Sequence, residues 1–509
     1  MKRRTFIKAT AGLASLTATI APVTGASGLR WSPPETAVDH SGGRYSWSVS
    51  VDDLDTLEDW IEGSDDRRLV SSHKETDRAR IVAKPEDIGV GALQRLFDEG
   101  LAGSNWVDRI EIDRAISIPD PIIPGPRSEV WRSLNRRENL GTLAATGSRP
   151  RIPTDGLAFD DDMPEVTLET ALKATRVDAV DVSGDGVLIA VIDTGINDGE
   201  IFADQDGETR ISSASKEFLS DDEETGLEAI EDGNLHGTWC ASAIAADPDD
   251  DEEYRGILPE ADLLGLRALD DDGEGRLSAI EHAILYAADE GADVINLSLG
   301  SSLWSPALDE ALEYAVEEGS IPIAAVGNDR QVTRWVGHPA STDHAIAVGA
   351  VTADDPDDAK SAYFSNIGPH SGSGDLSEGE SSGREVDLAA PGTEIEVITP
   401  RSGRSTRETV MTGTSMSTPI VAGIAGMLSV YEDVDELDDM RDRLQSTARP
   451  IPNAAAAEVG SGMVDAEAAL EDDEADDDQE SEMIDAASDR DRSYRALSTA
   501  QGRFLFDVI

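Results

Sequence analysis

Cysteine and long apolar runs are scarce in this chain of 509 residues. Cys240 is the only cysteine, so an internal disulfide is excluded and stability must come from packing, salt or bound ions. Beyond residue 27, no segment has the about 18 uninterrupted apolar residues that a transmembrane helix requires. No cysteine follows the N-terminal apolar stretch, so we expect no lipoprotein anchor there.

Basic residues are also few: 42 Lys and Arg against 103 Asp and Glu give a formal net charge of −61. Such a surface repels phosphate backbones and anionic lipid headgroups, so we expect neither a nucleic-acid partner nor a membrane partner. A hydrophobic content of 39% and 45 glycines indicate a folded core rather than a disordered chain. The charge indicates a halophilic surface, because in molar salt the Debye length falls to about 3 Å. The alternative is an ordinary acidic protein.

The first 27 residues have the layout of an export signal. Lys2, Arg3 and Arg4 precede an uncharged stretch over residues 9–23, and small residues follow it. The paired arginines followed by Phe-Ile-Lys resemble the twin-arginine type of signal. We therefore expect residues 1–27 to direct secretion of an extracellular protein through a twin-arginine route.

Residues 44–118 have the pattern of a small α+β unit. The predicted elements are strands at 45–51, 80–82 and 107–112 and helices at 54–61 and around 93–97. Strand, helix, strand, helix, strand is compatible with a ferredoxin-like sandwich. Residues 119–165 contain seven prolines and little periodicity, which predicts a linker.

Residues 166–470 alternate apolar runs with helical stretches, which is the βαβ pattern of a mostly parallel sheet in an α/β domain. The predicted strands cover residues 187–192, 263–266, 294–299, 321–326 and 345–351. The predicted helices cover residues 236–246, 277–290, 306–318 and 415–430. Residues 471–509 open with a block of like charges, which predicts a solvated acidic C-terminal tail.

Three polar residues stand at a strand end or a helix start. Asp193 follows the first of these strands, at the edge where open α/β sheets bind ligands. His236 precedes a glycine and opens a helix of small residues. Ser415 begins an apolar helix, where backbone N–H groups and the helix dipole would stabilise an oxyanion. Taken singly, each has a plainer interpretation: an aspartic-protease DTG motif without its second copy, a structural histidine, and an N-cap serine.

In the order Asp, His, Ser, these settings resemble the subtilisin-like serine proteases, or subtilases. Nine segments match the family's motifs in order and rough spacing, from about residue 170 to 468. They are VLIAVIDTGI (187–196), HGTWCAS (236–242), GADVINLSLGS (291–301), IPIAAVGND (321–329), HPASTDHAIAVGAV (338–351), YFSNIG (363–368), DLAAPGTEI (387–395), GTSMSTPIVAG (413–423) and GSGMVDAEAAL (460–470). The resemblance implies a three-layer α/β domain with a mostly parallel central sheet, and the acidic surface and signal indicate the secreted, halolysin-like type.

The resemblance also implies a role for each site residue. Ser415 Oγ would attack the scissile carbonyl, His236 would take its proton and return it to the leaving amine, and Asp193 would hold the imidazole. Asn328 would donate its amide to the oxyanion together with the Ser415 N–H. An extended peptide would pair with residues 298–300 by β-augmentation. The expected substrate-binding residues are Ser298, Leu299, Gly300, Ala325 and Gly327.

Maturation and partners follow from the same resemblance. Residues 44–118 would be a ferredoxin-like propeptide that assists folding, inhibits the enzyme and is removed by self-cleavage. The chemistry requires no cofactor. Calcium is a candidate structural ion, with the acidic stretches 220–232 and 247–253 as oxygen donors. We expect a monomeric endopeptidase whose partners are peptide or protein substrates and its own propeptide.

Several positions depart from the family pattern. Trp239 replaces a second histidine, and Arg330 replaces a frequent glycine near the pocket for the residue that precedes the scissile bond. Cys240 resembles the thiol-containing branch of the family, although a small buried hydrophobe is the simpler interpretation. Two alternatives to an active serine endopeptidase therefore stay open: a subtilase fold retained for binding with impaired activity, and an aspartic protease that uses Asp193.

Overall fold

The computed structural model describes residues 39–40, 44–88, 106–118, 157–158, 165–220, 224–248, 252–301, 304–330, 335–352, 359–368, 385–401, 405–431, 434–452 and 454–472. The predicted signal at 1–27, the helix around 93–97, nearly all of the linker and the tail beyond residue 472 lie outside these residues. We call residues 44–118 the N-terminal unit and residues 165–472 the main domain.

The N-terminal unit is an antiparallel sheet with a helix packed against it. Its strands are β1 (Arg44–Val51), β2 (Arg68–His73), β3 (Arg78–Ala83) and β4 (Val107–Ile112), and its helix is α1 (Leu54–Glu62). The strands lie in the order β2-β3-β1-β4, so the first and last are neighbours. Strand β2 was not predicted, because Leu69 and Val70 are adjacent and give no alternation of period two.

Both faces of β1 are buried, although its sequence alternates between polar and apolar residues. Trp47 and Val49 face the core that α1 covers. Ser46 and Ser48 on the opposite face are 0% and 2% exposed. The hydroxyl of Ser48 donates to Oε2 of Glu281 in the main domain at 2.7 Å. One face of the small sheet therefore lies against the main domain.

A mostly parallel sheet forms the centre of the main domain. Its principal strands are β5 (Leu188–Asp193), β6 (Asp262–Arg267), β7 (Val294–Leu297), β8 (Ile321–Ala325), β9 (Ile346–Val351) and β10 (Leu388–Pro391). They are parallel and lie in the order β6-β5-β7-β8-β9-β10. The short strands Lys216–Glu217, Ser361–Ala362 and Leu157–Ala158 extend the sheet. All five predicted strands are confirmed.

Helices cover both faces of this sheet. The longer ones are α2 (Leu168–Ala174), α3 (His236–Ala245), α4 (Leu277–Asp289), α5 (Pro306–Glu317), α6 (Thr414–Tyr431) and α7 (Leu437–Ser446). Alternate residues of β5 enter two cores: Ile189 and Val191 pack with α3 and α6, and Ala190 and Ile192 pack with α4 and α5. The main domain therefore has the three layers that the resemblance implied.

A hairpin beside α3 was not predicted. It consists of β11 (Ile395–Arg401) and β12 (Ser405–Met411), and Val166–Thr167 pairs with β11. The remaining short elements are strands Asp39–His40, Ala115–Ser117 and Glu274–Arg276, helices Pro85–Ile88, Ala456–Val459 and Ala466–Glu471, and 3-10 turns Val177–Ala179, Glu200–Phe202 and Glu252–Tyr254. Within the described residues, the helices are too short or too polar to cross a bilayer.

Candidate active site

The carboxyl ends of three neighbouring strands bring the predicted site residues together. β5 ends at Asp193, Ser298 follows β7, and Asn328 lies shortly after β8. Because parallel strands end at the same edge of a sheet, these residues converge. Ser415, the second residue of α6, lines the same cleft as Ser298 and Asn328.

Asp193 and His236 form a buried pair. Nδ1 of His236 lies 2.8 Å from Oδ1 and 3.0 Å from Oδ2 of Asp193. His236 is 7% exposed and Asp193 is fully buried. The N–H of Thr194 donates to Oδ1 at 2.7 Å, which fixes the carboxylate in place. A carboxylate here accepts the Nδ1 proton, so Nε2 is the ring nitrogen that can take up another proton.

Asp232 holds the start of the helix that carries His236. Its Oδ1 accepts from the N–H groups of Asn234 and Leu235, at 3.0 and 2.8 Å. Its Oδ2 accepts from the N–H and the hydroxyl of Thr238, at 2.9 and 2.7 Å. Asp232 was not predicted as a site residue, although an aspartate just before a helix is a recognised capping signal.

Gly237 lets α3 approach the end of β5. A Cβ at this position would lie 2.3 Å from the carbonyl oxygen of Gly195 and 3.0 Å from Cβ of Asp193. Any other residue would therefore push the helix away from the strand. Close approach through the glycine after His236, which the sequence indicated, is present in the structure.

Ser415 is held by Ser298. Oγ of Ser415 donates to the carbonyl oxygen of Ser298 at 3.0 Å, and Oγ of Ser298 donates to the carbonyl oxygen of Ser415 at 2.9 Å. The N–H of Met416 donates to the carbonyl of Gly413, which has a φ of +155°. Ser415 thus stands on the first turn of α6, where the helix dipole favours negative charge.

The side-chain amide of Asn328 and the backbone N–H of Ser415 face a common space. Oδ1 of Asn328 accepts from the N–H and the hydroxyl of Thr414, at 2.9 and 3.0 Å. These bonds orient the amide and turn Nδ2 away from Thr414. A Cβ added to Gly413 would lie 3.1 Å from Nδ2 of Asn328 and 3.7 Å from N of Ser415. Gly413 therefore leaves open a space bordered by two N–H donors, which we call the oxyanion space.

A cleft of about 360 Å³ opens beside Ser415. The five predicted substrate-binding residues all line it: Ser298, Leu299, Gly300, Ala325 and Gly327. Asp329 is the one ionisable side chain among the described residues that line the cleft, and burial raises the pKa of its carboxyl group.

The N-terminal unit also reaches this cleft. Its strand Ala115–Ser117 pairs antiparallel with Glu274–Arg276 of the main domain. The N–H of Ile118 then donates to the carbonyl of Gly273 at 3.0 Å, and Ile118 lines the cleft together with Ser415. The end of the N-terminal unit therefore lies as an extended strand beside the candidate nucleophile.

Comparison with known proteins identifies the family. A sequence model described as the subtilase family, a family of peptidases, matches residues 184–485, which is more than half of the chain. The chain belongs to the subtilase family.

Individual proteases are similar over about half of the chain. A thermophilic serine proteinase of Bacillus sp. (strain AK1) is 38% identical over 244 residues, which are 48% of this chain and 52% of that protein. Thermitase of Thermoactinomyces vulgaris is 34% identical over 246 residues, 48% of this chain and 76% of thermitase. Halolysin of Haloferax mediterranei is 35% identical over 281 residues, 55% of this chain and 48% of halolysin. The chain thus spans about half the length of the first and third relatives.

Among solved structures, fervidolysin from Fervidobacterium pennivorans has a similar fold. Its crystal structure, described as a keratinolytic enzyme related to subtilisin, superposes with a TM-score of 0.59 at 21% identity. The match covers 86% of this chain and 63% of fervidolysin. At this identity the likeness shows the fold, which agrees with the predicted subtilisin-like architecture.

Trp239, which departs from the usual subtilase pattern, packs into the core. Trp239 is fully buried in the core between α3 and α6, and its Nε1 donates to the carbonyl of Thr409 in the hairpin at 3.1 Å. The indole thus fastens β12 to α3. It is absent from the described lining of the cleft.

The departure at Arg330 likewise leaves the cleft open. Nη2 of Arg330 lies 2.5 Å from Oε1 of Glu458, and both side chains are almost fully buried. Oε2 of Glu458 accepts from the N–H of Ala455 at 3.0 Å. The sequence placed Arg330 near the substrate pocket, whereas in the structure its neighbour Asp329 lines the cleft.

Cys240 lies behind the Asp193–His236 pair rather than in the cleft. Its Sγ is 4.0 Å from Oδ2 of Asp193 and 3.7 Å from the carbonyl oxygen of Ser415. Burial, with a contribution from the Asp193 carboxylate, raises the pKa of the Cys240 thiol well above its usual range. The residue is therefore a neutral, buried thiol, in agreement with the simpler interpretation of the sequence.

In their described residues, the acidic stretches proposed as calcium ligands contribute no side chain to a close group of three metal-ligating side chains, so calcium binding stays a prediction. Within the described chain, two groups of three side chains bring metal-ligating atoms within 4.8 Å of one another: Asp193 with His236 and Cys240, and His73 with Glu75 and Asp289. Neither group includes a residue from 247–253 or a carboxylate from 220–232.

Proposed function

We propose that this subtilase is a serine endopeptidase in which Ser415, His236 and Asp193 form the catalytic triad. The observation that carries the proposal is the buried bond from Nδ1 of His236 to Asp193, at the strand edge that also holds Ser415 and Asn328. The same bond argues against the aspartic protease alternative, which requires a second carboxyl group that shares a proton with Asp193.

In the proposed mechanism, the Ser415 hydroxyl turns from the Ser298 carbonyl toward Nε2 of His236. The imidazole takes the proton as Oγ attacks the scissile carbonyl carbon, and Asp193 stabilises the imidazolium that forms. The negative oxygen of the tetrahedral intermediate enters the oxyanion space between Asn328 and the Ser415 N–H. His236 then protonates the leaving amine, and a water molecule, deprotonated by His236, hydrolyses the acyl-Ser415 ester. No cofactor is needed for these steps.

The substrate would bind as an extended strand. Residues 298–300 line the cleft and continue β7 beyond its last paired residue, so they can add a peptide by backbone hydrogen bonds. Gly273 and the strand Glu274–Arg276 offer a second edge, and the pairing of Ala115–Ser117 with it illustrates this mode of binding. Ala325 and Gly327 would line the pocket for a substrate side chain.

The N-terminal unit would act as a propeptide and intramolecular inhibitor. Ile118 occupies part of the cleft, so a substrate cannot fill that part while the unit is attached. The unit is also bonded to two helices of the main domain. Asp113 accepts from the N–H and the hydroxyl of Ser278 on α4, at 3.0 and 2.6 Å, and Glu111 accepts from the hydroxyl of Ser305 before α5 at 2.9 Å. Self-cleavage after Ile118, followed by release of the N-terminal unit, would free the cleft.

The setting we infer is extracellular and saline. The signal-like layout of residues 1–27 supports export by a twin-arginine route, and the net charge of −61 supports adaptation to high salt. The similarity to halolysin points in the same direction. We propose that the mature protein acts as a monomer on peptide or protein substrates.

Labelling with a fluorophosphonate in molar salt tests the proposal. We expect one adduct, located at Ser415 by peptide mapping, and no adduct in Ser415→Ala or His236→Ala. The Ser415→Ala chain should also accumulate as an uncut precursor. A protein that is folded by circular dichroism and gives no adduct would instead support a subtilase fold retained for binding. Normal processing of Ser415→Ala would show that another protease removes the N-terminal unit.

A further inference from the structure

Three metal-ligating side chains meet where the N-terminal unit contacts the main domain, outside the active site. His73 is the last residue of β2, Glu75 lies in the turn between β2 and β3, and Asp289 is the last residue of α4. One ligand atom from each lies within 4.8 Å of the other two. The imidazole of His73 is 11% exposed, so the cluster has a buried side and an open side.

The neighbouring residues fix the orientation of two of these groups. Nδ1 of His73 is 2.9 Å from the hydroxyl of Thr76, and Oδ1 of Asp289 accepts from the hydroxyl of Tyr314 at 2.8 Å. These contacts leave Nε2 of His73 and Oδ2 of Asp289 facing each other at 2.8 Å. Outer partners of this kind orient ligands in metal sites.

The local charge favours a cation at this point. In the tautomer in which Nδ1 of His73 donates to Thr76, the lone pair of Nε2 faces Oδ2 of Asp289, and a cation would there replace the Nε2–H···Oδ2 hydrogen bond that the other tautomer makes.

We propose that His73, Glu75 and Asp289 bind a divalent cation of the zinc type, which joins the N-terminal unit to the main domain. One imidazole and two carboxylates are zinc ligands, and a water molecule would complete a tetrahedron. Tetrahedral bonds of about 2.0–2.2 Å to zinc place the ligand atoms about 3.3–3.6 Å apart, a spacing that small side-chain shifts provide here. Calcium is disfavoured because it prefers six to eight oxygen ligands.

Zinc content of the full chain tests the site. Ser415→Ala protein, kept uncut, is loaded with Zn²⁺ in molar salt, dialysed, and analysed for bound metal. His73→Asn and Asp289→Asn, made in the same background, should each lose one equivalent of zinc. The half-buried His344, on the main domain, provides the matched control, and His344→Asn should keep the full content. Comparison with the parent cancels any zinc held by Asp193, His236 and Cys240.

Two further measurements keep the proposal open to refutation if one variant folds poorly. Thr76→Val removes only the outer partner of His73 and should weaken zinc binding by about 10–100-fold in a calorimetric titration. Zinc should raise the thermal midpoint of the parent and leave that of His73→Asn unchanged. Equal zinc content in the parent and both ligand variants, or no zinc in any of them, would overturn the site and leave His73 hydrogen-bonded to Asp289.

The consequence for maturation rests on the proposed function. After self-cleavage, zinc should keep the cut N-terminal unit bound to the main domain, and a chelator should release it on a sizing column run in molar salt. If the chain does not cut itself, this measurement fails while the zinc content of the uncut chain still reports the site. The two failures are therefore distinguishable.

Discussion

The hydroxyls of Ser298 and Ser415 each donate a hydrogen bond to the backbone carbonyl of the other residue, at 2.9 and 3.0 Å. This reciprocal pair ties the end of β7 to the start of α6. Ser298 also belongs to the segment that we propose binds substrate. One residue therefore positions both the nucleophile and the peptide that it attacks.

The substitution Ser298→Ala should impair catalysis more than binding. It removes the hydroxyl donor to the Ser415 carbonyl and leaves that oxygen only the weak thiol donor of Cys240, so the free energy of unfolding should fall by about 1 kcal/mol. Chemical denaturation in molar salt measures this change, and steady-state kinetics should show a lower kcat with KM little changed. Ser417→Ala is the matched control. It also removes a buried hydrogen bond from a serine hydroxyl to a backbone carbonyl, that of Ala390 at 3.0 Å. An equal fall in kcat for the control would contradict a specific role for Ser298.

Replacing Asn328 should remove stabilisation of the transition state. Asn328→Leu lacks the Nδ2 donor to the oxyanion space, so we expect kcat to fall by about 10²–10³ with KM nearly constant. Thr414→Val is the control for the lost contact between Asn328 and Thr414. It removes the hydrogen bond from the Thr414 hydroxyl to Oδ1 of Asn328 but keeps the amide of Asn328. If Thr414→Val loses as much kcat as Asn328→Leu, the asparagine acts by holding Thr414 rather than by donating to the oxyanion.

Asp232 should affect both stability and the histidine that it positions. Asp232→Ala leaves the N–H groups of Asn234, Leu235 and Thr238 without this acceptor, so the free energy of unfolding should fall by about 1–3 kcal/mol. The kcat should fall as well, because α3 begins at His236. Ser305→Ala removes the cap of α5, where the hydroxyl accepts from Leu308 N–H at 3.3 Å. This control should lose stability while the kcat of the mature enzyme is retained.

The charge of Asp329 should give the enzyme a preference for basic substrate side chains that depends on pH. Above its raised pKa the carboxylate favours lysine or arginine in the cleft, and this preference should disappear as the pH falls through that pKa. Asp329→Asn should lower the kcat/KM ratio of lysine to leucine peptides about tenfold, since a charged hydrogen bond contributes about 1.5 kcal/mol. A ratio that is unchanged by the substitution would exclude Asp329 from the substrate pocket.

The same group makes a prediction for stability. A carboxyl group whose pKa is raised by folding stabilises the fold fully below its unfolded pKa of about 3.9, and this contribution is lost as the pH rises through the folded value. Asp329→Asn should therefore be more stable than the parent at neutral pH and equally stable in acid. Denaturation curves at both pH values provide the comparison.

Salt should stabilise the whole protein. The Debye length falls from about 8 Å at 0.15 M to about 3 Å at 1 M salt, so repulsion among the carboxylates behind the net charge of −61 weakens. We expect the thermal midpoint to rise steadily with potassium chloride and much less with sucrose, which does not screen charge. A midpoint that stays constant on dialysis into 0.15 M salt would require another explanation for the acidic composition.

The sequence predicted the parts of the fold that have strong local periodicity. Strands β5 to β9 and helices α3 to α6 are buried on both faces or along one side, so their apolar patterns are clear, whereas the four-residue strand β10 was not predicted. Strand β2 and the hairpin strand β12 were missed because they are partly exposed and mix polar with apolar residues.

The sequence predicted those site residues that lie in short motifs. Asp193, His236, Ser415 and Asn328 each stand in a recognisable local setting, and the structure brings them to one strand edge. The pairing of Arg330 with Glu458 joins residues 128 positions apart, and nothing local in the sequence indicates it. Likewise, the meeting of His73 with Asp289 depends on how two separate units pack.

The short strand Glu274–Arg276 also affects how easily newly made molecules aggregate. A sheet edge that accepts a peptide offers the same row of backbone donors and acceptors to any other extended chain, including a neighbouring copy. Ala115–Ser117 covers that edge within the same molecule. While the N-terminal unit is in place, this edge is therefore shielded from edge-to-edge aggregation between newly made molecules.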